Sequence, residues 1–181
     1  MPKSAANSQI KAILMCGVPG SGKTTYCAWL SQEKGFDHLD FDLLFLGRGT
    51  PAHLELFQVL KKSHKDFVHK ILRKKKPTVI DWGFPPTSLD LVRFFKKNGI
   101  EIWWFDGDRE AALQSFNARG TVSTDAFKVQ IGSIEQFWAQ IKEVIGNHLI
   151  NSVMKGPKHL PPETIFEEMF GRATEQGTAV P

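Results

Sequence analysis

The sequence predicts an α/β fold, a three-layer sandwich in which a five-stranded parallel sheet lies between helices on both faces. Short apolar runs alternate with helical patterns through most of the 181 residues. This alternation is typical of parallel strands joined by right-handed helical crossovers. Acidic residues also follow several of the apolar runs, and the carboxyl ends of parallel strands are where such sheets bind ligands.

In the first half of the chain, strands are predicted at residues 10–16, 38–41 and 78–81. The first helix begins at Lys23 and ends at Gly35, a residue type that commonly terminates helices. Residues 52–75 carry apolar side chains at helical spacing and form one helix or two. We interpret this stretch as a helical insert, which Pro77 ends.

In the second half, Thr87 caps a helix that Gly99 ends, and residues 100–105 form the fourth strand. Asp108 caps a helix that reaches Arg119. Residues 121–132 are polar and lack a clear period, so we predict a mobile lid over about 119–133. Ser133 then begins a capping box for the next helix, residues 148–154 form the fifth strand, and the last helix starts at 161–162.

Composition indicates a soluble globular protein, because 41% of the residues are hydrophobic and 23% are charged. We predict one domain over residues 10–171, with flexible ends at 1–9 and 172–181. Cys16 and Cys27 offer neither a disulfide framework nor metal-ligand spacing, which favours a reducing compartment. No apolar run approaches the ~20 residues that span a bilayer, and the start lacks a signal peptide. We therefore expect a cytoplasmic protein without a membrane partner.

The formal net charge of +4 reflects a cluster of basic residues between the second and third strands. The cluster has two readings: the solvated face of an amphipathic helix, or a patch for nucleic acid. The sequence alone does not decide between them. Its members are Lys61, Lys62, Lys65, Lys70, Arg73, Lys74, Lys75 and Lys76.

The most specific motif is the segment that follows the first strand. It matches G-x-x-x-x-G-K-[ST] completely, with a buried strand before it and a helix after it. Glycines let successive backbone N–H groups converge on phosphates, where the positive end of the helix dipole also points. We therefore predict a nucleoside triphosphate site, for ATP with Mg²⁺. The nucleotide-binding residues are Gly17, Val18, Pro19, Gly20, Ser21, Gly22, Lys23, Thr24 and Thr25. Lys23 reaches the β- and γ-phosphates, and Thr24 binds the Mg²⁺.

With this loop, the chain resembles the P-loop kinases of the nucleoside-monophosphate-kinase type. The nearest likeness is the branch of polynucleotide 5′-kinase domains, gluconate kinases and zeta-toxin-like kinases, often catalogued as AAA-type ATP-binding proteins. The resemblance implies the P-loop NTP hydrolase fold. It also implies a reaction in which the γ-phosphoryl group of ATP moves to a hydroxyl of a small molecule or of a nucleic-acid 5′ end.

The resemblance also implies three roles outside the loop. In that branch an aspartate after the second strand orients the acceptor hydroxyl, and Asp42 matches it; the alternative is that Asp42 caps the turn after it. In that branch the carboxylate that ends the third strand holds Mg²⁺, and Asp81 matches it; the alternative is that Asp81 is structural. Arg119 matches the second of two lid arginines that neutralise the moving phosphoryl group, or it is a helix C-terminal cation. Phe116 stands where the first arginine would be.

Two other functional classes are compatible with the sequence. The chain could be an ATP-hydrolysing switch or assembly module, which the missing first lid arginine favours. It could also be an ATP binder that has lost catalysis. The acceptor itself is not identified by any motif, and Trp82 is either a wall of its pocket or ordinary core.

Overall fold

The computed structural model describes residues 10–83, 86–118, 123–156 and 158–171. Within these residues, six strands form one sheet in the order β2-β3-β1-β4-β5-β6. The strands are β1 (Ala12–Gly17), β2 (Asp37–Asp40), β3 (Thr78–Asp81), β4 (Glu101–Gly107), β5 (Leu149–Met154) and β6 (Lys158–His159). The first five pair in parallel, whereas β6 is antiparallel to β5. The α/β prediction is confirmed, and the strand count is corrected from five to six, because a two-residue strand leaves no periodic pattern.

Nine α-helices connect these strands in the part of the chain that the structure describes. They are α1 (Lys23–Lys34), α2 (Phe41–Phe45), α3 (Pro51–Lys62), α4 (His64–Leu72), α5 (Leu89–Lys97), α6 (Arg109–Ala118), α7 (Thr124–Gln136), α8 (Trp138–Ile145) and α9 (Pro162–Phe170). A one-turn 3₁₀ helix, Pro86–Ser88, precedes α5. As predicted, Gly35 ends α1 in a left-handed conformation, with φ of 74°.

Helices cover the sheet on both faces because the central strand is apolar at every position. All six residues of β1 are buried, and alternate side chains point to opposite sides. Leu14 belongs to a core cluster with residues of α3, α4, α5 and α8. Met15 belongs to a second cluster with residues of α1 and α9. This strand thus joins the two halves of the core.

The helical insert consists of two helices rather than one. Ser63 ends α3 and caps α4, and its Oγ accepts a hydrogen bond from the backbone N–H of Asp66 at 3.2 Å. A serine in extended conformation favours such a break, since its hydroxyl satisfies a helix N–H that has no intrahelical partner. The N-cap predicted at Thr87 is wrong: α5 has Ser88 as its N-cap, and Thr87 lies in the 3₁₀ turn.

The segment predicted to be pattern-poor contains a helix. The structure begins α7 at Thr124, where the Oγ of Ser123 accepts from the N–H of Ala126 at 3.3 Å. The capping box predicted at Ser133 is therefore wrong, because Ser133 lies inside α7. Phe127 and Ile134 are the buried anchors of this helix, two turns apart, and so sparse a spacing gives a weak periodic signal.

The predicted domain limits remain predictions. Residues 1–9, 119–122 and 172–181 lie outside the described ranges, and so do the proposed flexible ends and the start of the proposed lid. Among the helices that the structure describes, no helix combines the length and the apolar character required to cross a bilayer.

Candidate active site

The glycine-rich loop lies between β1 and α1 and is held against the neighbouring strand. Gly17 has φ of 141°, and a Cβ at this position would lie 2.1 Å from the carbonyl oxygen of Phe105 in β4. The next residue donates its backbone N–H to the same oxygen, over 3.0 Å. Only glycine permits this approach and this dihedral angle, which explains the first glycine of the motif.

Two further contacts hold the loop in place. Gly20 has φ of 77°, and a Cβ there would lie 2.1 Å from the carbonyl oxygen of Ala112 in α6. From β5, the buried Ser152 hydroxyl donates to the carbonyl oxygen of Ser21 at 2.8 Å. Backbone and side-chain groups from three elements therefore hold the loop in a fixed conformation.

Lys23 is a buried cation at the base of the loop. Its Nζ donates to the carbonyl oxygens of Gly17 at 3.1 Å and Val18 at 2.9 Å. Burial lowers the pKa of its ammonium group, and the negative charge of Asp81 opposes this shift. The next two residues, Thr24 and Thr25, are exposed. These two residues thus lie at the surface, while the ammonium group of Lys23 is held inside the loop.

Asp40 and Asp42 have different roles, which the sequence did not distinguish. Asp40 caps α2: its Oδ1 accepts from the N–H of Leu43 at 2.9 Å. The alternative that Asp42 caps this turn is therefore wrong. The two carboxylates belong to different elements, because β2 ends at Asp40 and Asp42 lies in the first turn of α2.

The carboxylate of Asp42 points toward the end of β3, where its Oδ2 accepts from the N–H of Gly83 over 3.3 Å. Burial raises the pKa of Asp42, and the charges of Asp81 and Asp40 raise it further, while Lys23 lowers it. The charges of Asp42, Asp81 and Lys23 therefore influence one another.

Asp81 ends β3, as the sequence predicted, and the structure shows that it is buried. Its Oδ2 lies 3.8 Å from the Nε2 of His38, and both atoms are buried without a hydrogen-bond partner among the described residues. The thiol of Cys27 lies within 4.8 Å of these two groups. Burial raises the pKa of the Cys27 thiol well above its ordinary value. Because the thiolate is the form that binds metals, the group of Cys27, His38 and Asp81 is a poor metal site.

A cavity of about 620 Å³ lies beside Asp42, within the size range of small-molecule sites. One wall is aromatic: Trp82 is 2% exposed, and its ring lies 6.1 Å from that of Phe45 at an interplanar angle of 29°. Trp82 is therefore both core and pocket wall. Across the cavity, α7 contributes its part of the lining. The residues of α7 that line the cavity are Val129, Gln130, Ser133 and Ile134.

The two lid positions predicted from the resemblance, 116 and 119, have different outcomes. Arg119 lies outside the described residues, so its role remains a prediction. Phe116, at the position of the missing arginine, packs against Phe127 of α7 with ring centroids 5.3 Å apart. Arg109, the first residue of α6, forms an ion pair with Asp106. Phe116 therefore serves to join α6 to α7.

Sequence reasoning missed Ser152 and His159. The ring of His159 in β6 lies over the loop, since a Cβ at Gly22 would be 2.9 Å from its Nδ1. Its Nε2 shares a hydrogen bond with the Oγ of Ser115 at 3.2 Å. Neither residue belongs to a motif; both reach the loop through the packing of β5 and β6, which no local pattern signals.

The basic cluster between β2 and β3 is mostly exposed. Lys74 is the exception, because its ammonium group forms an ion pair with Asp37 at the start of β2. This arrangement agrees with a solvated helix surface, and the alternative of a nucleic-acid patch remains untested.

Comparison with known proteins agrees with this fold. The family model described as "AAA domain" matches residues 13–144, so the chain belongs to that family. The chain matches no curated protein. Its fold is that of the P-loop kinases of the nucleoside-monophosphate-kinase type, as the structural neighbours show.

Three solved structures illustrate the similarity. The shikimate kinase from Acinetobacter baumannii in complex with shikimate has a TM-score of 0.62 and 15% identity, over 97% of this chain and 99% of that one. A gluconokinase from Sinorhizobium meliloti 1021 has a TM-score of 0.54 and 14% identity, over 93% of this chain and 94% of that one. The shikimate kinase from Bacteroides thetaiotaomicron has a TM-score of 0.55 and 16% identity, over 91% of this chain and 96% of that one. At these identities the likeness establishes the fold.

Proposed function

We propose that this chain is an ATP-dependent kinase that transfers the γ-phosphoryl group to a hydroxyl of a small molecule or of a nucleic-acid 5′ end. The observation that carries this proposal is the position of Asp42. Its carboxylate is not used as a helix cap, it lines a cavity of about 620 Å³, and it lies in the field of Lys23. Neighbours with the same fold are described as shikimate kinase and gluconokinase, which supports the same class of reaction.

The nucleotide would be held by residues 17–25. Their backbone N–H groups surround the phosphates, and the ammonium group of Lys23 exchanges the carbonyl oxygens of its own loop for the β- and γ-phosphates. The donor set fits a magnesium ion, since Thr24 is an exposed hydroxyl-bearing residue and the buried Asp81 has a carboxylate oxygen without a hydrogen-bond partner among the described residues. Thr24 and Asp81 would hold Mg²⁺, which supplies charge neutralisation when bound.

In the proposed reaction, the acceptor oxygen attacks the γ-phosphorus in line. A bond forms between these atoms, the bond to the β–γ bridging oxygen breaks, and ADP leaves. Asp42 accepts a hydrogen bond from the acceptor hydroxyl, orients it, and receives its proton. Orientation is the larger part of this role, because phosphoryl transfer is catalysed mainly by positioning and by electrostatic stabilisation. Arg119 is proposed to stabilise the moving group.

The test is an acceptor screen with ATP and Mg²⁺ over sugars, nucleosides, alcohols and 5′-hydroxyl oligonucleotides, read by mass spectrometry of the products. We expect a phosphorylated product whose rate of formation falls about 100-fold or more in Asp42→Asn. Asp90→Asn, at a fully solvated position on α5, is the matched control and should retain the wild-type rate. Release of free phosphate without any phosphorylated product would exclude the kinase function.

An ATP-hydrolysing switch is the second candidate, and the packing of Phe116 supports it. Because this side chain occupies the position of a lid arginine and packs against Phe127, a second molecule would have to supply the missing cation. Hydrolysis per molecule should then rise steeply with protein concentration. A turnover number independent of protein concentration would speak against this candidate.

A cytoplasmic location also stays a prediction. Both cysteines, Cys16 and Cys27, are free and buried, which agrees with a reducing compartment.

A further inference from the structure

The charges around the cavity beside Asp42 are almost all of one sign. Among the described lining residues, Asp42 is the one with an ionisable side chain, and the others are apolar, glycine, or uncharged polar groups such as Gln130 and Ser133. The nearby carboxylates of Asp40 and Asp81 act on Asp42 through their negative charges. Lys23 acts on Asp42 with the opposite sign but does not line the cavity. Among the described lining residues, the field thus comes from one carboxylate, and no cation faces it.

This field selects against acidic acceptors. A carboxylate or phosphate group on the acceptor would leave water for a site whose described lining residues carry no compensating positive charge. Burial of an unpaired charge is strongly unfavourable, and the nearby carboxylates add like-charge repulsion. An uncharged acceptor avoids both costs, since a hydroxyl requires only a hydrogen-bond acceptor, which Asp42 provides.

The shape and chemistry of the wall favour a ring. Phe45 and Trp82 lie nearly parallel, and Phe45 is 56% exposed although it is a large aromatic side chain. At the other side of the mouth, Val129 is 72% exposed. Exposed apolar side chains that line one concave surface are characteristic of ligand sites. The aromatic wall would cover one flat face of a bound molecule, while the hydroxyl of that molecule meets Asp42.

We propose that the acceptor is a hydroxyl-bearing compound that has a flat apolar ring face and no acidic group, and that its ring lies on the wall formed by Phe45 and Trp82. This inference rests on the proposed kinase function, and it names the class of acceptor. The hydroxyl oxygen forms the new bond to the γ-phosphorus, its proton passes to Asp42, and ADP is the leaving group.

The first experiment measures binding alone, so it does not depend on transfer. The probes share one skeleton: benzyl alcohol, 4-(hydroxymethyl)benzoate, and the 4-(trimethylammonium) analogue of benzyl alcohol. Each is titrated into the full-length protein with Mg²⁺ and a non-hydrolysable ATP analogue, and followed by saturation-transfer NMR. We expect the neutral compound to bind at least about tenfold more tightly than the benzoate. The cationic probe should also bind more tightly than the benzoate. Equal or tighter binding of the benzoate than of either other compound, or no binding of benzyl alcohol up to its solubility limit, would overturn the proposal.

Variants then locate the preference in this cavity. Val129→Lys adds a cation at the mouth and should shift the preference toward the benzoate about tenfold, whereas Met154→Lys adds the same charge at an exposed site outside the lining and should leave the preference unchanged. Phe45→Ala should weaken benzyl alcohol binding several-fold. The matched control is Leu46→Ala, an exposed neighbour that is not part of the lining. Equal effects of each variant and its control would also overturn the proposal.

The two proposals fail in different ways. If the binding preference holds and no acceptor is ever phosphorylated, the kinase function is wrong and the class of occupant stands. If transfer occurs and is fastest to carboxylated acceptors, the kinase function stands and the inference on the acceptor is wrong.

Discussion

At the residue scale, Asp42 shows how a site can oppose folding. Burial and the charges of Asp81 and Asp40 raise its pKa, so the ionised form is less favourable in the folded chain than in the unfolded chain. A raised carboxyl pKa means that the protonated form stabilises the fold at low pH. This contribution is lost as the pH rises through the raised pKa. A carboxyl group whose pKa is raised by burial and by neighbouring charges is characteristic of a functional site.

Replacement of Asp42 should therefore stabilise the protein while it reduces transfer. We expect Asp42→Asn to raise the melting temperature at pH 7, because the amide has no charge to bury and still accepts from the N–H of Gly83. The gain should shrink as the pH falls through the raised pKa toward the ordinary carboxyl range. Thermal denaturation at several pH values measures this, and a gain that persists unchanged at acid pH would contradict the electrostatic explanation.

At the scale of single elements, the helix boundaries are decided by side-chain caps. Ser63 is the example with two roles, since it ends α3 and begins α4. Ser63→Ala removes the hydrogen bond to the N–H of Asp66 and should cost about 1 kcal/mol, which corresponds to a melting temperature roughly 2–4 °C lower for a chain of this size. Ser63→Thr keeps the hydroxyl and serves as the control. Equal loss in the two variants would show that the cap does not limit stability.

A second prediction for an element concerns α7. Gly132 lies inside this helix, is exposed, and has open space where a Cβ would be. Gly132→Ala should stabilise the fold by up to about 1 kcal/mol, because alanine loses less backbone entropy in a helix. Gly146 has equal space but φ of 62°, so Gly146→Ala should destabilise by about 1–2 kcal/mol. Urea denaturation distinguishes them, and effects of the same sign would contradict the argument from dihedral angles.

At the scale of the whole molecule, nucleotide binding should stabilise the fold. The loop makes contacts with β4, α6 and β5, so a ligand on the loop stabilises the arrangement of all three. Mg²⁺-ATP at about 100 times its dissociation constant should add about 2.7 kcal/mol, or roughly 5–10 °C in melting temperature. Lys23→Ala should abolish the shift, and Lys11→Ala, at an exposed position before β1, should keep it. An unchanged shift in Lys23→Ala would contradict the assigned role of this lysine.

Local patterns determined a large part of the molecule. The buried strand β1, the loop of residues 17–24, the helix that ends at Gly35 and the cap at Asp108 follow from spacing and residue type, because the interactions involved are between near neighbours in the chain. The Oδ1 of Asp108, for instance, accepts from the N–H of Ala111 at 2.9 Å, a contact of three residues in sequence. The phosphate loop could be predicted for the same reason.

Tertiary structure alone decided the rest. The division of roles between Asp40 and Asp42, the place of Ser152 and His159 beside the loop, the sixth strand, and the aromatic wall of Phe45 and Trp82 all depend on which elements meet in space. Ser152 contacts Ser21 across 131 positions of sequence. No local pattern encodes such a contact, because it arises only when burial of both faces of the sheet fixes the order of the strands.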